Sequence, residues 1–180
     1  MRMFLALSAV ALLLAAPSFA LRTAKSPDIT VLVKQATAKI RAYPQFKKAV
    51  LLEADGSPEK GVTTKASAIT HWRIVFQNQT TKGSKFKSAW LKVVNGKIGK
   101  PVGVREPFVE DRNIAVVPKM TLATAVAKLR RAGHKDEFGT VTLRYPLGPG
   151  FKEPLYIFGF ASDEFWSVGT KTGKVRSLSS

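Results

Sequence analysis

The chain has 180 residues, no cysteine and a formal net charge of +17, from 29 Lys and Arg against 12 Asp and Glu. The absence of cysteine excludes disulfides, thiolate metal sites and cysteine nucleophiles. The basic excess predicts attraction to polyanions, and the alternative interpretation is a solvated cationic surface that aids solubility.

The first twenty residues have the order of a secretory signal peptide. Arg2 is basic, residues 4–16 are almost entirely apolar, and residues 18–20 (SFA) form a small-x-small cleavage site. The apolar run is shorter than the roughly 20 residues that a membrane span needs, and Pro17 interrupts it. We therefore expect cleavage after Ala20 and a secreted product, extracellular or periplasmic. Since Arg2 is the only charge removed, that product carries +16.

The region after the signal peptide predicts one helix followed by antiparallel strands. Residues 26–43 predict a helix with Ser26 as its cap and Pro27 at its first position. The apolar side chains of this segment fall at helical spacing, and Pro44 ends the run. Asn95-Gly96 between two apolar runs is a strong hairpin signal. The strand patterns lie at 48–54, 69–77, 86–94 and 98–104, with a turn-rich loop (DGSPEKG) after the first.

The second half begins with a predicted connector at residues 107–118. A second helix follows at 121–132, with Thr121 as its cap and Gly133 at its end. Strand patterns then lie at 139–145, 155–160 and 164–170. This half therefore predicts one helix and three strands.

The order of elements repeats along the chain. Apolar positions of the first helix recur in the second at a constant offset of 93, and a Trp-bearing strand ends in Gly-Lys-aliphatic at both 90–98 and 166–175. We therefore expect an α+β fold of two α-β-β-β repeats, residues 21–106 and 119–180, each packing one helix on an antiparallel sheet. The two lobes could be separate or joined into one continuous sheet. The alternative to a duplication is chance similarity between two ordinary hairpins.

The stretch GTKTGK (169–174) raises the question of a nucleotide site. A phosphate loop needs G-x-x-x-x-G-K-[ST], but Val168 stands five residues before Gly173 and Val175 follows Lys174. The spacing and the missing hydroxyl favour a structural turn. We expect no cofactor.

A run without acidic residues extends from Glu59 to Glu106 and contains ten basic residues. Aromatic residues interleave with these charges, for example in Trp90-x-Lys92. This pattern fits a stacking surface for single-stranded nucleic acid, but alternation of core and solvent positions is the favoured interpretation. The candidate polyanion-binding residues are Lys82, Lys85, Lys87, Lys92, Lys97 and Lys100.

No catalytic or metal-binding set stands out. His71 and His134 lack ligand spacing, and no serine lies in G-x-S-x-G, so we expect a protein that is not an enzyme. Asn78-Gln79-Thr80 is a glycosylation sequon, with Asn78 as the acceptor in a eukaryotic source.

The helix at 121–132, LYIFGF (155–160) and FWSVGTKTGKV (165–175) together resemble the PepSY family. The helix at 28–43 and AWLKVVNGKI (89–98) resemble a first copy. The resemblance implies a tandem protein in which each copy is a short helix against a small curled sheet of cystatin-like shape. It also implies a secreted or envelope location, no catalytic residues, and kinship with propeptides proposed to restrain proteases.

These observations lead to two functional expectations. The first is a secreted, non-enzymatic binding module for a protein partner, with a protease as its concrete form. The protein would then act as an inhibitor or as an effector on a host or competitor. The alternative is a cationic binder of nucleic acid, acidic glycan or an anionic surface, which acts through the basic stretch 60–105.

Overall fold

The computed structural model describes residues 26–80 and 82–178, so the predicted signal peptide lies outside the described residues. The α-helices are α1 (Ile29–Arg41) and α2 (Leu122–Arg131). The strands are β1 (Ala49–Pro58), β2 (Ile69–Asn78), β3 (Ser88–Val94), β4 (Lys97–Ile98), β5 (Val102–Val104), β6 (Phe138–Arg144), β7 (Leu155–Phe160), β8 (Phe165–Gly169) and β9 (Val175–Ser177). In the described ranges, no helix is long and apolar enough to cross a membrane.

Both predicted helices are confirmed, but the first is capped by Asp28 and not by Ser26. Asp28 accepts the N–H of Thr30 at 3.0 Å, and Thr121 accepts the N–H of Thr124 at 3.2 Å. The second carboxylate oxygen of Asp28 accepts the N–H of Leu122, the first residue of α2, at 3.0 Å. One carboxylate therefore holds the N-termini of both helices.

The strands form one antiparallel sheet in the order β4-β3-β2-β1-β6-β7-β8-β9, with β5 also paired to β3. The prediction of two helix-on-sheet repeats is therefore wrong, because nine strands make a single sheet that carries only two helices, of 13 and 10 residues, in the described ranges. The halves merge where β1 pairs with β6, from Glu53–Arg144 to Gly56–Val141. This pairing satisfies two sheet edges that separate lobes would leave open.

Both helices pack on the same face of the sheet. The buried side chains of α1 and α2 form one core cluster with alternate residues of the strands, such as Ile74 and Leu91. The intervening residues, such as Arg73 and Lys92, point to the other side because strand side chains alternate. We call this second side the open face.

Strand β1 is longer than predicted, because the expected loop from Asp55 onward continues as strand to Pro58. Pairing with β2 and β6 outweighs the weak strand preference of these residues. Gly56 is suited to its place because the ring of Trp72 lies against it, and an added Cβ would come within 2.5 Å of that ring.

The hairpin at Asn95-Gly96 is confirmed, with φ values of 50° and 78° that match the two-residue turn favoured by this dipeptide. The returning strand is divided. β4 pairs with the end of β3 at Val93 and Val94, and β5 pairs with its beginning at residues 88–90. The outer edge of β3 is therefore covered by two short strands.

Candidate binding surface on the open face

A row of polar side chains crosses the middle of the open face. Lys92 of β3 lies opposite Arg73 of β2, Arg73 lies opposite Asp55 of β1, and Asp55 lies opposite Thr142 of β6. Arg73 donates to Asp55 Oδ2 through Nε at 3.0 Å and through Nη2 at 2.7 Å. Thr142 donates its hydroxyl to Asp55 Oδ1 at 3.1 Å. Asp55 is therefore held from both neighbouring strands.

A second ionic cluster lies beside this row. Arg144, directly opposite Glu53 in the β1–β6 ladder, donates to Asp111 Oδ1 at 2.9 Å and lies 3.7 Å from Glu110. Glu53 in turn accepts a hydrogen bond from Arg73 Nη2 at 3.1 Å. These contacts fix the connector that carries Asp111 to the three central strands.

Glu53 and Asp111 are almost buried, with exposures of 8% and 9%. Burial raises the pKa of Glu53 from 4.5 to about 7, and the negative charge of Asp55 acts in the same direction. Burial also raises the pKa of Asp111, against the lowering effect of its hydrogen bond with Arg144. The negative charge of Asp111 also raises the pKa of Glu53, so Glu53 carries a proton below a pH of about 7. With that proton on Glu53, two arginines balance Asp55 and Asp111.

A cleft of about 600 Å³ opens on this face next to the row. Lys92 is exposed at its rim, whereas the charge of Arg73 is directed to two carboxylates. The cleft can therefore offer a cation, hydroxyl groups and an aromatic surface to an anionic group. Its lining residues are Asp55, Gly56, Ser57, His71, Trp72, Arg73, Trp90, Lys92, Thr140 and Thr142.

The six lysines singled out in the sequence are all exposed, at positions 82, 85, 87, 92, 97 and 100. The first three lie in the loop between β2 and β3, and Lys100 lies in the turn between β4 and β5. Lys97 pairs with Val94, two residues along β3 from Lys92, so Lys92 and Lys97 share the open face. The structure brings these two together near the end of β3, while the loop lysines lie before its beginning at Ser88.

Trp90 is the member of this surface that the favoured sequence interpretation missed. Alternation places Trp72 in the core and Arg73 on the open face. Trp90 and Lys92, however, are two residues apart on one strand, so they point the same way. The spacing in Trp90-x-Lys92 is the signal that could have placed this aromatic residue beside the cation.

Asn78, the predicted glycosylation acceptor, is 8% exposed at the end of β2. Its side-chain nitrogen carries two hydrogens and lies within hydrogen-bond distance of three acceptors: Gln45 O at 2.9 Å, Phe86 O at 2.8 Å and Ser84 Oγ at 3.0 Å. A glycan on this nitrogen would have to replace those hydrogen bonds. Glycosylation of Asn78 stays a prediction.

The two histidines lie far apart in the fold. His71 lines the open-face cleft, with Nδ1 3.2 Å from the hydroxyl of Thr70. His134 follows α2 and stacks on Trp166 with ring centroids 3.6 Å apart. Across residues 26–80 and 82–178, no group of three His, Cys, Asp or Glu side chains could hold a metal ion.

The GTKTGK stretch forms the turn between β8 and β9 and binds a carboxylate of this same chain. Glu153 accepts the backbone N–H groups of Lys171 and Thr172, and the Thr172 hydroxyl at 2.6 Å. Partial burial raises the pKa of Glu153, but these hydrogen bonds outweigh it and hold the pKa below its ordinary value. The amides of the turn are thus directed to Glu153.

No protein-family model, curated protein or solved structure matches this chain. The resemblance to the PepSY family therefore stays a prediction. It rests on the helix at 121–132 and the two Trp-bearing strands.

Proposed function

We propose that this chain is a secreted, non-enzymatic binding protein. It binds an acidic polymer at the side of the sheet formed by β2, β3, β4 and β5. The proposal rests on where the acid-free stretch between Glu59 and Glu106 lies in the fold. From residue 69 onward this stretch folds as β2, β3, β4 and β5, which are neighbours in the sheet. Basic residues that follow one another in sequence therefore lie on neighbouring strands and on the loops that join them.

The electrostatics of this side of the sheet favour a polyanion. Arg73 is paired with Glu53 and Asp55, but the six lysines are exposed and the sequence around them supplies no acid. Such a concentration of one sign of charge steers an acidic polymer over long range and releases its counterions on contact. Trp90 adds an aromatic surface beside Lys92, on which a base or a sugar ring can stack.

The proposal is tested by the salt dependence of binding to heparin and to a short DNA duplex. The test variant reverses three charges at the proposed site: Lys85→Glu, Lys87→Glu and Lys92→Glu. For DNA, each lost phosphate contact lowers the slope of log K against log salt by about 0.9, so we expect a drop of about 2 to 3.

The matched control reverses three exposed lysines elsewhere: Lys34→Glu, Lys119→Glu and Lys135→Glu. Both variants have the same net charge, so only the position of the charges differs. Equal slopes for the two variants would contradict a site at the β2–β5 side of the sheet. Flow-through of the unaltered protein on heparin at low salt would contradict polyanion binding altogether.

The protein partner implied by the family resemblance, with a protease as its concrete form, remains a separate prediction. It is tested by capture from the native secretome and by inhibition of a protease panel. Failure of both measurements would remove it.

A further inference from the structure

A second cavity, of about 670 Å³, lies on the helix-bearing side where the N-termini of α1 and α2 meet. Its volume is typical of pockets that bind small molecules. Its buried apolar lining consists of Ile29, Ile69, Trp72, Leu122 and Val126. The exposed residues at its mouth are Pro27, Thr64, Lys65, Ser67, Ala123 and Ala127.

Two buried polar groups of this lining have no hydrogen-bond partner among the described residues: the indole N–H of Trp72 and the hydroxyl of Ser26. Trp72 is only 3% exposed. The six-membered edge of its indole lies against Gly56 of β1, so the edge that carries Nε1 is turned away from β1. Buried donors of this kind normally have an acceptor, and here none is supplied by the described residues.

The one carboxylate in the lining is already committed. Asp28 accepts hydrogen bonds from the N–H and the hydroxyl of Thr30 through Oδ1, and from the N–H of Leu122 through Oδ2. Its bonds fix the two helix ends and do not reach the indole of Trp72. The cavity therefore combines an apolar floor, two unmatched donors and the cation of Lys65 at its mouth.

We propose that this cavity binds a small carboxylic acid with an apolar body. Neither donor atom has surface accessible to water, so the cavity floor has to open slightly before the carboxylate supplies the acceptors that Trp72 and Ser26 lack. Lys65 at the mouth offsets the charge of the carboxylate. The apolar body lies against Ile69 and Val126. This cavity opens on the helix-bearing side, whereas the polymer surface lies on the open face, and Trp72 is the one described residue that lines both clefts.

Decanoate is the probe, and the indole resonances of the three Trp residues in ¹⁵N-labelled protein are the readout. We expect decanoate to shift the Trp72 resonance, assigned with Trp72→Phe, and to leave that of Trp90 in place. Trp72→Phe keeps an aromatic ring but loses the donor, so we expect affinity to fall about tenfold or more. Trp90→Phe is the matched control and should bind as the unaltered protein does.

A second variant keeps the test informative if Trp72→Phe does not fold. Ala127→Phe places a bulky side chain at the cavity mouth, on the exposed side of α2. Ala38→Phe is its control, because Ala38 is an exposed residue of α1 that does not line the cavity. We expect the first to abolish decanoate binding and the second to leave it unchanged. If decanoate does not shift the Trp72 resonance, or if Ala127→Phe and Ala38→Phe bind decanoate equally well, the proposed site is wrong. Bound water would then be the partner of the indole N–H. Neither variant should change the salt slope on DNA, so the two proposals fail separately.

Discussion

The raised pKa of Glu53 gives a sharp prediction for the substitution Glu53→Gln. Glutamine copies the neutral, protonated side chain, because it carries no charge and can still accept the hydrogen bond from Arg73. The folded protein holds the Glu53 proton up to a pH of about 7, whereas the unfolded chain releases it near 4.5. The stability that this proton provides is therefore complete below pH 4.5 and is lost as the pH rises toward 7.

The magnitude follows from the size of the shift. Each pKa unit is worth about 1.4 kcal/mol, so a rise from 4.5 to about 7 corresponds to about 3 kcal/mol of unfolding free energy. The side chain is nearly buried, so solvent screening does not reduce this figure much. Between pH 4.5 and pH 8, we expect the unfolding free energy of Glu53→Gln to rise by about 3 kcal/mol relative to that of the unaltered protein.

The assay is urea unfolding at a series of pH values, followed by tryptophan fluorescence. The informative quantity is the difference in unfolding free energy between the two proteins at each pH, because the contributions of groups common to both cancel. Glu59→Gln changes an exposed carboxylate and is the control, for which we expect a difference close to zero throughout. Parallel stability curves for Glu53→Gln and the unaltered protein from pH 4.5 to 8 would refute the reasoning.

Two further substitutions test local features by the same unfolding measurement. Gly56→Ala forces a Cβ against the Trp72 ring and should cost about 1–3 kcal/mol, whereas Gly150→Ala, with open space around it, should cost little. A neutral Gly56→Ala would contradict that close contact. Glu153→Gln weakens the hydrogen bonds of the β8–β9 turn and should cost about 1–3 kcal/mol, less as the pH falls, because the folded pKa is below 4.5. The exposed Glu137→Gln is its control, and equal losses for the two would argue against the turn.

Local signals in the sequence predicted the helices and the Asn95-Gly96 hairpin, because caps and turn residues act on their near neighbours. The pairing of β1 with β6 could not be predicted in the same way. Both strands are apolar on one side, and their periodicity fits several partners equally well. The extension of β1 through Asp55-Gly56 was missed for a related reason, since pairing on both sides overrides local turn preference.

In the candidate site, too, features set by the local sequence could be predicted, whereas those set by contacts between distant segments could not. The exposure of the lysines followed from charge alone, and Lys92 and Lys97 share a face because of the hairpin. The carboxyl pair of Glu53 and Asp111 depends on contacts between distant segments, so spacing gave no indication of it. An acid within the apolar run AVLLEA (49–54) was the one available signal that a carboxyl group lies in a buried strand.

The shared cap at Asp28 ties the unfolding of the two halves together. Its bond to Leu122 joins residues 94 positions apart, so it exists only when both halves are assembled. A helix of ten residues, such as α2, is marginal in water without tertiary support. The start of α2 is thus stabilised by a residue of the other half, in addition to its own cap at Thr121. With the pairing of β1 and β6, this contact leads us to expect that the two halves unfold together and not as separate foldons.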